Sequence, residues 1–184
     1  MKDTEQSIIE AAILIFNEDL SAPLEKVAEK AETTRRTLHR YFKDRKELMQ
    51  RCEKEIRRSC AIAMTQAYNS SEDPVIQLEN MFYAGIQCGT KHTFLHKLHQ
   101  LHDHAHETSN KDCVKFEQTF QLWNSHLKLL QTTGLISAHL SSEWIQNLYN
   151  GIVTACIASQ NQTQMNQQDV KKFAWFSFSR GIGI

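Results

Sequence analysis

LEKVAEKAETTRRTLHRYF, residues Leu24 to Phe42, sets two short helical patterns on either side of a polar turn. Leu24, Val27, Ala28 and Ala31 recur at three- and four-residue intervals and so share one helix face. Pro23, just ahead of them, suits a helix's first position, which needs no backbone N–H. Thr34 can cap a second helix, Arg35–Tyr41, in which Leu38 and Tyr41 can turn inward against Val27 and Ala28. Two short helices parted by a turn of about three residues, with a longer helix before them, have the proportions of a helix-turn-helix.

The flanks extend this pattern. Asp3 or Thr4 can cap a first helix with Ile8, Ala12, Ile15 and Phe16 inward, ending around Asn17 to Ser21. Asp44 and Glu47 have capping-box spacing, with Asp in place of the usual Ser or Thr, and open a long fourth helix, Arg45–Ala67. YNSSEDP, ending at Pro74, breaks the chain. Beyond it the spacing predicts helices at Pro74–Cys88, Thr90–Ala105, Lys111–Gln131, Ser141–Ser159 and Gln167–Ser179, with a polar connector between the last two. With two prolines, six glycines and no alternating strand pattern, the chain reads as all-α. The expected division is a three-helix helix-turn-helix domain over residues 1–50 and a larger helical body over 51–184.

Charge singles out one element. The whole chain balances 21 basic against 21 acidic residues, which excludes a uniformly basic coat. From Glu32 to Arg51, however, seven basic residues face three acidic ones. Thr34, Arg35, Arg36, Thr37, His39 and Arg40 are left to divide between base edges, phosphates and water. Focused positive charge on one short helix suits phosphate attraction.

Over residues 6–50 the sequence resembles the N-terminal domain of the TetR/AcrR family of bacterial transcription regulators. The resemblance is carried by Thr37-Leu38, Tyr41-Phe42, Arg45 and Glu47-Leu48, with Ala11-Ala12, Phe16, Val27-Ala28 and Ala31 upstream. It implies a homodimer with two helix-turn-helix heads on a palindromic operator, and a helical body that answers a small-molecule effector. The implied DNA-binding set is Thr34, Arg35, Arg36, Thr37, His39, Arg40, Tyr41, Lys43, Arg45 and Lys46. Of these, Arg35, Arg36, Thr37 and Arg40 are expected at bases. His39, Lys43, Arg45 and Lys46 are expected at phosphates, His39 standing where the family most often has Tyr. Four residues depart from the family pattern. Ala22 lacks a capping oxygen, Glu32 replaces a turn glycine, Arg36 a small residue, and Lys43 a proline.

The body offers less. Tyr83, Gln87, His99 and Trp123 are candidate effector contacts beside aromatic helices. The resemblance points to the last two helices for dimerisation, with Trp144, Ile145, Leu148, Ile152 and Ile157 on one and Val170, Phe173, Ala174, Trp175 and Phe178 on the other. Six of the nine histidines fall between His92 and His106. Pairs four apart could reach one ion, but a stable site needs a third ligand and an oriented outer shell, so the stretch reads as a polar helix face and no metal is assigned. HExxH, GxSxG, a Walker lysine loop and GxGxxG are all absent, so no enzyme and no cofactor are expected. Five scattered cysteines without a CxxC pair fit a reducing cytoplasm, and no apolar run approaches the roughly eighteen residues of a membrane span. The alternative is a non-enzymatic helical adaptor without specific DNA binding.

Overall fold

A computed structural model describes residues 3–101, 111–161 and 166–184, leaving out the side chains of 90–101, 111–120 and 160–161. The histidine stretch, His99 among it, therefore lies outside the described side chains. Among the described residues there are eight helices and no strand: α1 (Thr4–Glu18), α2 (Leu24–Lys30), α3 (Arg35–Tyr41), α4 (Arg45–Tyr68), α5 (Pro74–Leu101), α6 (Lys111–Thr132), α7 (Ser142–Asn161) and α8 (Gln167–Ile182). The chain divides into two compact units. One comprises residues 1–58 with 91–107, the other 59–90 with 108–184.

In the first unit, Asp3 starts α1 by accepting from the Glu5 backbone N–H at 3.2 Å. Ile8, Ala12 and Phe16 are fully buried as the spacing requires, joined by Ile9, Ala11 and Ile13, whereas Ile15 is only half-buried. Val27 and Ala28 of α2, Leu38 of α3 and Leu48, Cys52 and Ile56 of α4 are also buried. Pro23 stands at the cap of α2, one position earlier than its expected place. Asp44 opens α4 by accepting from the Glu47 N–H at 2.9 Å, and the Glu47 carboxylate reaches back to the Lys43 N–H at 2.7 Å. The expected reciprocal cap thus forms, with its return arm on the residue before Asp44.

The second unit is built around Phe82. Its ring stacks on Phe178 at 4.8 Å and meets Trp175 and Tyr149 at 5.5 and 5.8 Å. Leu78, Met81, Ile86, Trp123, Leu127, Leu130 and Ile145 complete the buried cluster. The two helices expected over Pro74–Cys88 and Thr90–Ala105 are instead one, α5, continuous through Gly89. A helical glycine costs about 1 kcal/mol but does not end a helix. Here the space it leaves is occupied. A Cβ built on Gly85 would lie 1.8 Å from the Tyr149 hydroxyl, and one on Gly89 would lie 2.5 Å from Val153 Cγ1. The small residues are a notch for α7 rather than a break.

Candidate nucleic-acid interface

The turn between α2 and α3 follows from backbone hydrogen bonds. Thr33 N–H donates to Ala28 O at 2.9 Å and Glu32 N–H to Glu29 O at 3.0 Å, the pattern of a Schellman ending. That ending needs a left-handed residue, and Glu32 supplies it at φ 52°. It is the only non-glycine with positive φ among the described residues. Thr34 then caps α3, its hydroxyl accepting from the Thr37 N–H at 3.1 Å.

Leu38 is fully buried and anchors the inner side of α3. Arg35, Arg36, His39 and Arg40 are exposed, Thr34 beside them is exposed, and Thr37 and Tyr41 are half-buried. Lys43 and Lys46 are exposed just beyond the helix. Arg40 lies over the Tyr41 ring at 5.1 Å. Arg35 is paired with Glu25 of α2 at 2.7 Å, a partner that sequence reading did not single out. Among the described residues no carboxylate pairs with Arg36, Arg40, Lys43 or Lys46. The outward side of α3 is thus a cluster of guanidinium, imidazole and hydroxyl groups on a helix of two turns.

Arg45 stands apart from this cluster. Its guanidinium donates to the carbonyls of Ala22, at 2.6 Å, and Leu20, and its flat face covers the Phe16 ring at 4.5 Å. Two donors and one face are therefore engaged inside the unit, and Arg45 ties the α1–α2 loop to the start of α4. These contacts give Arg45 internal partners beside the phosphate contact expected of it. Ala22 is buried and its carbonyl accepts from Arg45, while α2 starts at Pro23 with no side-chain cap. In that loop Asp19 accepts from both the hydroxyl and the N–H of Ser21, and these bonds lower its pKa.

No family model and no curated protein matches the sequence. Solved structures do match the whole chain. LfrR from Mycobacterium smegmatis, a TetR-like transcriptional regulator solved with proflavine, superposes with a TM-score of 0.75 at 17% identity, covering 98% of this chain and 97% of its own. The ketosteroid transcriptional regulator KstR2 of Mycobacterium tuberculosis gives 0.76 at 13% identity, over 99% and 96% of the two chains. The fatty acid degradation regulator FadR from Bacillus halodurans gives 0.68 at 14% identity, over 97% and 95%. The fold is TetR-like.

Within this TetR-like fold the body candidates separate. The Tyr83 ring meets Phe82 and Trp175, and burial, with a lesser contribution from Glu79, raises its pKa to about 12. Trp123 is buried against Tyr149 and Phe178, and its indole N–H finds no acceptor among the described residues. Gln87 is exposed. Of the ten dimerisation candidates, Ile145, Val170, Ala174 and Phe178 belong to the chain's own core. Leu148, Ile152 and Trp175 are packed half-buried against it, and Ile157 is half-buried. Only Trp144 and Phe173 are exposed, at 59% and 57%, and Phe176, which the sequence reading passed over, is exposed at 63%. Helical spacing marks an apolar side but cannot tell which part of it the chain covers itself.

Tyr149 has no counterpart among the sequence candidates. Burial is the main cause raising its pKa, with the Cys88, Cys60 and Cys156 thiols adding to the shift. Among the described residues no group of His, Cys, Asp or Glu could hold a metal ion, and no helix is long and apolar enough to cross a membrane.

Proposed function

We propose that this chain is a sequence-specific DNA-binding transcription regulator of the TetR/AcrR family, a non-enzymatic, ligand-responsive repressor acting as a homodimer. The observation that carries the reading is α3: a doubly fixed short helix with Leu38 inward and Arg35, Arg36, His39 and Arg40 outward. Such a helix reads only a few base pairs, so two copies on a roughly palindromic operator supply the missing specificity. Arg35, Arg36, Thr37 and Arg40 are assigned to bases, and Thr34, His39, Tyr41, Lys43 and Lys46 to phosphates or the edge of the contact. Arg45 supports them from behind. Residues 1–50 are the reading domain and 51–184 the effector and dimerisation domain.

The dimer face is assigned to the exposed aromatics Trp144 of α7 and Phe173 and Phe176 of α8, since large apolar side chains left at a surface mark contact sites. Response to a small molecule is supported by the proflavine complex of LfrR, with Tyr83, Gln87 and Trp123 as the described candidates. A ligand acts on the operator only by binding one head spacing better than the other. Selection from randomised duplexes, followed by binding at several salt concentrations, tests the reading. A palindromic consensus bound far more tightly than random DNA is expected. Weak, steeply salt-dependent binding without any enriched sequence would leave a helical adaptor instead.

A further inference from the structure

The Glu25–Arg35 pair sits awkwardly in a surface meant for phosphates. Glu25 lies in the first turn of α2, Arg35 opens α3, and their side chains are 51% and 65% exposed. A pair this exposed adds little to stability. The turn does not depend on it either, being held by the Schellman bonds, the Thr34 cap and buried Val27, Ala28 and Leu38. Its cost to DNA binding is plain, because a carboxylate beside the reading helix cancels one cation and repels the backbone. Arg36 and Arg40 carry no such partner among the described residues.

What the pair does achieve is orientation. Arg35 is held on two sides, by the Glu25 carboxylate across the turn at 2.7 Å and by His39 Nε2, which accepts from Arg35 Nε at 3.5 Å. A guanidinium is a rigid planar fork, and fixing one edge fixes the direction of the remaining donors. An arginine so paired is biased away from the nearest phosphate by the roughly fivefold or less that an exposed ion pair supplies. Its outward donors instead suit one guanine edge, O6 with N7. A device that weakens every wrong contact while aiming one right one raises specificity at the expense of affinity.

We infer that Glu25 is a specificity-determining residue, acting through Arg35 to make one base position of each half-site guanine-selective while lowering affinity for DNA in general. The inference rests on the DNA-reading proposal above. It is tested on the full chain with wild type, Glu25→Gln and Arg35→Ala, each put through selection from randomised duplexes and then binding at several salt concentrations. The expected wild-type consensus contains a guanine whose preference disappears in Arg35→Ala. Glu25→Gln should bind random DNA roughly 3- to 10-fold more tightly, with a salt slope steeper by about one per head. It should lose about two- to fivefold of the discrimination at that guanine, the range an exposed ion pair can supply, and keep the other positions, a pattern that general destabilisation would not produce. An enriched operator with discrimination unchanged in Glu25→Gln, or with no guanine preference lost in Arg35→Ala, overturns this inference alone. A wild type that enriches no sequence overturns the DNA-reading proposal and this inference with it.

Discussion

Glu32 at φ 52° occupies the one turn position where its side chain is a disadvantage. A left-handed L-residue costs roughly 1–2 kcal/mol, part of which a glycine gives back in unfolded-state entropy. Glu32→Gly is therefore expected to stabilise by about 1 kcal/mol or less, raising the thermal midpoint by about 2–4 °C at most. A lowered midpoint would show that the Glu32 side chain makes a compensating contact. Arg45 makes the opposite case. Arg45→Lys keeps the charge but loses the two-carbonyl fork and the face over Phe16, a loss on the order of 1–3 kcal/mol. Operator affinity should fall with that instability while the salt slope stays constant. In Arg45→Gln, which removes the charge, a slope reduced by about one would return Arg45 to the phosphate contacts. His126 adds a pH dependence: its Nε2 is 2.8 Å from Pro74 O, its Nδ1 is buried without a partner among the described residues, and burial lowers its pKa. A depressed folded pKa means the unfolded chain takes up the proton first. The His126 contribution is thus present at neutral pH and lost as pH falls below about 6.5 toward the lower folded value. Replacing it by glutamine should flatten the stability profile between about pH 7 and 5 relative to wild type, and an unchanged profile would assign the acid sensitivity to other groups.

At the scale of elements, the contact between α5 and α7 is set by what α5 lacks. Tyr149 and Val153, four apart on α7, meet Gly85 and Gly89, four apart on α5. Gly85→Ala gains helix propensity but drives a methyl into the Tyr149 hydroxyl, 1.8 Å from where its Cβ would lie. Overpacking of this kind costs about 1–3 kcal/mol, so a net destabilisation is expected. Tyr149→Phe removes the colliding oxygen and leaves the ring carbon at 2.9 Å, so the double variant should recover part of the loss. Additive losses in the two single variants, measured by denaturant melts, would mean that α7 shifts freely and the notch is not a constraint.

At the scale of the whole molecule, the exposed rings of α7 and α8 are the feature a monomer explains least. Phe176 is 63% exposed, with Arg180 over its ring at 5.9 Å. Phe176→Glu puts a charge where the proposed partner packs, at a side chain that is largely exposed in its own chain. It should yield a monomer with unchanged helix content and much weakened operator binding, read by sedimentation and circular dichroism. A dimer persisting at micromolar concentration would move the interface elsewhere. The test is sharper than substituting Ile145 or Phe178, which would unfold the core whatever their role in pairing.

The local rules reached far in the first unit. Thr34 as a cap, Leu38 as an anchor and α3 from Arg35 to Tyr41 were all legible, because each depends on residues within about one helical turn, while Glu32 was marked as a turn residue only by the family resemblance. The start of α4 at Arg45 was legible for the same reason. What depended on distant partners was not. Arg45 and Arg40 are both arginines in one basic run, and only the approach of Phe16, Leu20 and Ala22, more than twenty residues earlier, turns Arg45 inward. Gly89 reads as a break until Val153 is found filling its space. The apolar residues of α7 and α8 follow one periodicity, but packing divides them into core and surface. Helix formation is decided by near neighbours in sequence, while the fate of each helix face is decided by whichever other helix arrives to cover it.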